Sequence, residues 1–284
     1  DLTVITNLMK ADGIGRQGIG MISCLYDSVN LNAKIIGTPN YKDIPKECLA
    51  ILAKPFTKYN TFSFYTYILG LNEEFAKFHS TIDSKIKIAY SMFESDRIPS
   101  LWVDVLNKYY DMVIVPDQWL VDVYKTSGVN KPIFVIPLGI YIEEFLKEPF
   151  NTKTNDMFTF GLSAGFWERK NHIQLAKVFN KEFKNNSKLK LHGRFGSFKS
   201  QVENEISRLN NPNIELHTNA MSQKEYLEFM KSVDCYVFPS GGEGFSITPR
   251  ETIALGIPCI LSNNSAHKTI VNSGFVIPVK AEKQ

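Results

Sequence analysis

The chain is poor in the residues that bind metals or cross-link small folds. It has four cysteines and five histidines in 284 residues. Cys24, Cys48, Cys235 and Cys259 show none of the paired spacings of a zinc site, and Cys235 and Cys259 lie inside apolar runs. They read as reduced core thiols, which suits the cytoplasm and excludes a disulfide scaffold. The histidines are no better spaced: His192 and His217 end strand-like runs and His172 opens a helical one. No stretch reads as a signal peptide or as an apolar run long enough to span a bilayer. An excess of one charge is missing too. A net charge of +3 does not point to nucleic acid, although it suits an anionic ligand or peripheral contact with an anionic inner membrane surface. With 44% hydrophobic residues the chain is too apolar for a disordered protein, and its length suits two domains.

What is present is an alternation of strand and helix patterns. Leu2–Thr6 reads as a strand, Gly13 to Gly20 as a glycine turn, Met21–Val29 as a helix and Ala33–Ile36 as a strand. From Thr38 to Leu71 prolines break the pattern, and the aromatics from Tyr59 to Tyr67 suit either a core patch or an acceptor-facing surface. Strands follow at Lys85–Tyr90, Asp111–Pro116 and Lys131–Pro137, with helices at Trp102–Tyr110 and from Asp117 or Gln118 to Thr126. This order implies a parallel sheet. Residues 1–140 read as a first Rossmann-like domain and 141–156 as a polar, proline-punctuated linker. Residues 157–284 repeat the alternation as a second such domain. The expected class is α/β, with two parallel-sheet domains facing each other across a cleft. The chain opens at Asp1 directly on a strand and stops soon after the strand Gly274–Val279, so both ends are expected to be trimmed.

The richest stretch is Asp234 to Ile260. The apolar strand Cys235–Phe238 is stopped by Pro239-Ser-Gly-Gly, and a helix runs from about Ser246 to Leu255, ending at Gly256. In a parallel sheet that turn lies where ligands bind, at the carboxyl end of a strand. Glu243 in the turn and Glu251 in the helix can look into one crevice. They suit hydrogen bonding to sugar hydroxyls, an acid–nucleophile pair, or a helix cap beside an exposed carboxylate. Arg169 and Lys170 follow a strand and precede a helix, a placement that suits a diphosphate as well as a solvated surface pair. The glycines from Gly13 suit a phosphate-binding turn or a plain tight βα turn. Glu94, within Glu94-Ser95-Asp96, suits one half of a metal-binding acidic pair, a general base or an acceptor-positioning group.

With these residues in view the chain resembles the retaining glycosyltransferases of family 4, which have the GT-B fold. Gly241-Gly-Glu243-Gly-Phe-Ser-Ile-Thr-Pro-Arg-Glu251 resembles their E-x7-E donor motif, and Gly165 through Arg169-Lys170-Asn171 their phosphate-binding segment. Gly13-Ile-Gly15-Arg16 resembles their N-terminal glycine loop, and Val135-Ile-Pro-Leu-Gly139-Ile the end of their first domain. The resemblance implies transfer of a hexose from a nucleotide-diphosphate sugar to a glycan or lipid-linked acceptor, as in surface polysaccharide or lipopolysaccharide assembly. It implies that no metal and no cofactor beyond this donor is required. Glu251 would bind the ribose, and Glu243 with Gly244, Phe245, Ser246 and Ile247 would hold the sugar and diphosphate. Arg169 and Lys170 would neutralise the leaving group, Gly13 and Gly15 would face the diphosphate, and Arg194 and Phe195 would lie near the base. Two departures stand out. Glu94 lies where many members place a histidine, which gives it a candidate catalytic role, and the family's closing C-terminal helices are not in the sequence. A nucleotide-sugar-binding subunit without turnover and a sugar-nucleotide epimerase stay open as alternatives.

Overall fold

The computed structural model describes residues 1–8, 13–38, 44–55, 59–66, 72–140, 146, 157–183 and 185–282. The linker expected over 141–156 lies outside them apart from Leu146. The chain divides into two compact units, Asp1–Gly139 and Ile140–Gln284.

In the first unit, strands β1 (Leu2–Thr6), β2 (Leu31–Ile35), β3 (Tyr59–Tyr65), β4 (Asp83–Tyr90), β5 (Met112–Val115) and β6 (Ile133–Val135) form one sheet in the order β2-β1-β3-β4-β5-β6. Every pairing in it is parallel. Such a sheet buries both faces, because its crossover helices cover them. Neighbouring residues of β1 show this. Val4 packs into one cluster with Ile19 and Ile22 of α1 (Gly13–Leu25) and Cys48 and Ile51 of α2 (Lys46–Ala53). Ile5 points to the other face, into a cluster with residues of α3 (Glu73–Ser80), α4 (Ser100–Tyr109) and α5 (Gln118–Ser127). Asp117 starts α5, its carboxylate accepting from the Trp119 N–H at 3.0 Å.

Two expectations change here. The helix expected at Met21–Val29 runs instead from Gly13 to Leu25, so Gly13 and Gly15 lie in its first turn rather than in a turn ahead of it. The glycines have a packing reason: a Cβ on Gly18 would collide with Thr6 and sit 2.6 Å from the Asn7 carbonyl oxygen, so α1 can lie this close to β1 only without one. The aromatic segment from Tyr59 is β3, a central strand between β1 and β4, with Phe64 and Tyr65 buried. Phe64 and Tyr65 serve the core, whereas Phe62 is exposed; Tyr67 lies outside the described residues.

In the second unit, β7 (Phe158–Ser163), β8 (Ser187–His192), β9 (Ile214–His217), β10 (Cys235–Phe238), β11 (Cys259–Ser262) and β12 (Val276–Val279) pair in the order β12-β11-β10-β7-β8-β9, again all parallel. The helices are α6 (His172–Glu182), α7 (Lys199–Leu209), α8 (Gln223–Lys231) and α9 (Ile247–Ala254). Ser222 and Glu225 cap α8 reciprocally, as a capping box. The chain winds outward from β7 to β9, then returns to place β10 on the other side of β7. The β7–β10 boundary is therefore the topological switch point, where loops at the carboxyl ends diverge and leave a crevice.

Candidate functional site

The two loops that leave the switch point carry the charged residues. After β7 the chain passes through a 3-10 turn, Glu168–Lys170, and Asn171 at φ +56° before α6. After β10 it makes the turn Pro239–Ser246 before α9. The loops are stitched together by the Gly241 N–H donating to the Arg169 carbonyl at 2.7 Å and by the Asn171 side-chain amide donating to the Pro239 carbonyl at 2.7 Å.

Glu243 lies at the centre of this turn, 6% exposed. Its Oε1 accepts from Arg169 Nη1 at 2.9 Å, from Ser240 Oγ at 2.6 Å and from Lys170 Nζ in a short ion pair. Among the described residues its Oε2 accepts no hydrogen bond. Burial pushes the Glu243 carboxyl up, but the charges of Lys170 and Arg169 outweigh it and hold the group below its ordinary value. Lys170 is 8% exposed, and its ammonium lies 5.0 Å from the centre of the Phe238 ring. Arg169 Nη1 also donates to the Gly242 carbonyl at 2.6 Å. Two cations share one carboxylate, so this triad carries a net charge of +1. Positive charge of this kind, in a turn that leads into a helix, favours an anion.

Ser246 begins α9 with φ +67°, a left-handed conformation that costs an L-residue other than glycine about 1–2 kcal/mol. Its hydroxyl makes no capping bond within the helix and instead meets His267 Nε2 at 2.8 Å. Phe245 is buried beneath the Arg250 guanidinium, 4.1 Å from its ring centre. Glu251, five residues into α9 and 1% exposed, accepts from the Tyr226 hydroxyl of α8 at 2.8 Å.

The other expected site residues fall into two groups. Arg194 and Phe195 lie in the loop after β8, at the same end of the sheet. The Arg194 guanidinium lies 5.5 Å from the Phe195 ring centre, and that ring meets Trp167 edge-on at 6.5 Å. Gly196, which ends this pair, has φ +138°, and a Cβ there would lie 2.8 Å from the Phe166 Cα. Gly13, Gly15 and Glu94 belong to the first unit. Glu94 is exposed in the loop after β4, and its charge helps burial raise the Tyr124 hydroxyl, which bonds Ser91 Oγ at 2.7 Å. Sequence reasoning missed Tyr226, Ser240, Ser265 and His267. Nothing near Tyr226, Ser265 or His267 in the chain marks them, because each acts on a residue that only the fold brings close; Ser240 bonds Glu243 within the same turn. Among the described residues no group of three or more His, Cys, Asp or Glu is placed to hold a metal ion, and no helix is long and apolar enough to cross a membrane.

A cation pair gathered on a buried carboxylate at the switch point of a doubly wound sheet marks an anion-binding α/β protein. The chain belongs to the glycosyl transferases group 1, whose family model matches residues 143–284, half of its length. It is a glycosyltransferase. No curated protein matches it in sequence. Solved structures resemble it throughout. A glycosyltransferase from Rickettsia africae is 15% identical with a TM-score of 0.74, covering 99% of this chain and 84% of that one. Anabaena Alr3699/HepE in complex with UDP is 12% identical with a TM-score of 0.71, covering 100% and 86%. A UDP-forming α,α-trehalose-phosphate synthase from Burkholderia xenovorans is 9% identical with a TM-score of 0.70, covering 98% and 87%. At this identity the likeness shows the fold, GT-B, with its two parallel α/β units.

Proposed function

We propose that the protein is a retaining glycosyltransferase of the family 4 type, moving a hexose from a nucleoside-diphosphate sugar, UDP in the first instance, to a glycan or lipid-linked acceptor of surface polysaccharide assembly. The observation that carries the donor assignment is the Glu243 carboxylate. One oxygen gathers Arg169 and Lys170, and the other accepts nothing from the described protein. Oε2 is then available to a sugar hydroxyl, while the two cations, held in place by Oε1, supply positive charge to the diphosphate. Glu251, held by Tyr226, takes the ribose hydroxyls. Phe195 and Arg194 border the base. The bound UDP in the Anabaena neighbour supports the choice of nucleotide.

In the reaction the bond from the anomeric carbon to the diphosphate oxygen breaks and a bond from the same carbon to the acceptor oxygen forms. The acceptor proton passes to a leaving phosphate oxygen on the same face, which retains the configuration. Negative charge grows on the diphosphate as the bond breaks, so Lys170 and Arg169 stabilise the transition state more than the ground state. A thermal-shift screen of UDP-, GDP- and ADP-sugars, followed by a hydrolysis assay with the best binder, tests this. Glu251→Ala and Lys170→Ala should each abolish turnover in folded protein. Full activity in either variant would sink the assignment.

A further inference from the structure

We infer that His267 is a positioning residue, which holds Ser246 in its left-handed conformation and so sets the first amides of α9 toward the donor. That the amides meet a diphosphate rests on the function proposed above; that His267 sets them does not. His267 lies in a 3-10 turn, Ser265–Thr269, fully buried with its ring against Phe238 at 5.6 Å. Its Nδ1 lies 3.0 Å from the Ser262 carbonyl oxygen. A carbonyl can only accept, so Nδ1 carries the proton, and in the neutral ring Nε2 is the acceptor. The Ser246 hydroxyl therefore donates to His267. Burial, the main cause, keeps the ring pKa low and the ring neutral.

This bond diverts the Ser246 hydroxyl from its usual work. A serine at the start of a helix ordinarily accepts from an amide of the first turn. Here it turns away, and the third residue of α9 is Pro249, which has no N–H to give. The amides of Ile247 and Thr248, which have no carbonyl one turn back, keep their donors for a ligand. His267 does not act alone. The segment from Ser262 to His267 grips the whole Ser240–Ser246 turn. Ser262 Oγ donates to the Ser240 carbonyl at 2.5 Å, and the Asn264 amide donates to the Ser240 and Gly241 carbonyls at 3.0 and 3.2 Å. The Glu243 N–H donates to Ser265 Oγ at 2.9 Å, and the Ala266 N–H to the Glu243 carbonyl at 3.2 Å. The bond to Ser246 is the last of this series and the one that reaches the strained residue.

The test compares wild type, His267→Leu, His267→Gln, Ser246→Gly and the Ser246→Gly/His267→Leu double variant of the whole chain. Two readouts are used: hydrogen exchange of the 244–250 segment without ligand, and UDP affinity by calorimetry. His267→Leu should speed exchange at Arg250, the first amide of α9 with a carbonyl one turn back, that of Ser246, and weaken UDP binding roughly ten-fold, the loss of one hydrogen bond's orienting effect. His267→Gln, which keeps an acceptor, should restore part of both. In the Ser246→Gly background His267→Leu should add nothing, because glycine adopts the conformation unaided. Unchanged exchange in His267→Leu, or effects that simply add in the double variant, would overturn the inference. If wild type fails to bind UDP while exchange responds as stated, the UDP assignment falls and the positioning role stands.

Discussion

Lys170→Met is the sharpest perturbation of the site. Methionine keeps most of the lysine stem against Phe238 and removes only the charge and its donors. Glu243 then retains Arg169 and Ser240 on Oε1 but loses the partner in its short ion pair, inside a turn where its side chain is 8% exposed. The charge of the triad falls from +1 to zero. A lost hydrogen bond to a buried charged group costs about 1.5–3 kcal/mol, below the full penalty of an orphaned buried charge because Arg169 remains. For a unit of this size each kcal/mol moves the melting temperature by roughly 2–4 °C, so a fall of about 3–12 °C is expected by scanning calorimetry. Turnover should fall further than stability explains, by about 10²–10³-fold, since in the proposed function the missing charge faces the phosphate where charge develops. Hydrolysis of the best-binding nucleotide sugar, measured well below the variant's melting temperature, gives the rate. Lys170→Arg should lie between the two, because a planar fork replaces a point charge. A Lys170→Met protein with unchanged melting and unchanged turnover would refute both the buried pairing and its role.

Further expectations concern the surroundings of the site. Tyr226→Phe removes the donor to buried Glu251 and should lower stability by about 1.5–3 kcal/mol in urea unfolding, with nucleotide affinity falling and the fold retained. Burial pushes the His79 ring down to about 3 in the first unit; in the second, burial and then Lys170 push His172 down to about 4. Both folded values lie below the unfolded one. Their contribution is therefore complete above pH 6.5 and is lost as the pH falls through that value toward the folded ones, at roughly 1.4 kcal/mol per pH unit per histidine. Denaturant unfolding at pH 7.5 and pH 5 should show this loss, and His172→Phe should flatten the second unit's share; equal stability at the two pH values would contradict it. Gly196→Ala should destabilise the second unit by 1 kcal/mol or more, about the cost of a left-handed L-residue alone, because its Cβ also meets the Phe166 backbone.

Much of the fold is legible without coordinates. Apolar runs such as Cys235–Phe238 and Met112–Val115 alternate with helical patterns, and caps such as Asp117 and Ser222 mark helix starts through side-chain bonds spanning two or three residues. The same locality makes the spacing of Glu243 and Glu251, and the adjacency of Arg169 and Lys170, readable as a candidate donor site. The glycines after β1 were ambiguous for the converse reason. Gly18 answers to Thr6 at the end of β1 and to Asn7 just after it, and no local pattern separates that from a phosphate turn. The aromatics of β3 were equally ambiguous until their strand proved central in the sheet.

The chain by itself determined which elements form and which residues carry charge, because periodicity, caps and turn residues act over a few positions. Tertiary structure decided which of those residues meet. Lys170 and Glu243 are 73 residues apart, and they touch only because β10 pairs with β7 rather than continuing beyond β9. Tyr226 reaches Glu251 and His267 reaches Ser246 by the same means. Strand order is a property of how faces pack, and a buried carboxylate can be stable only once that order has brought its cations beside it.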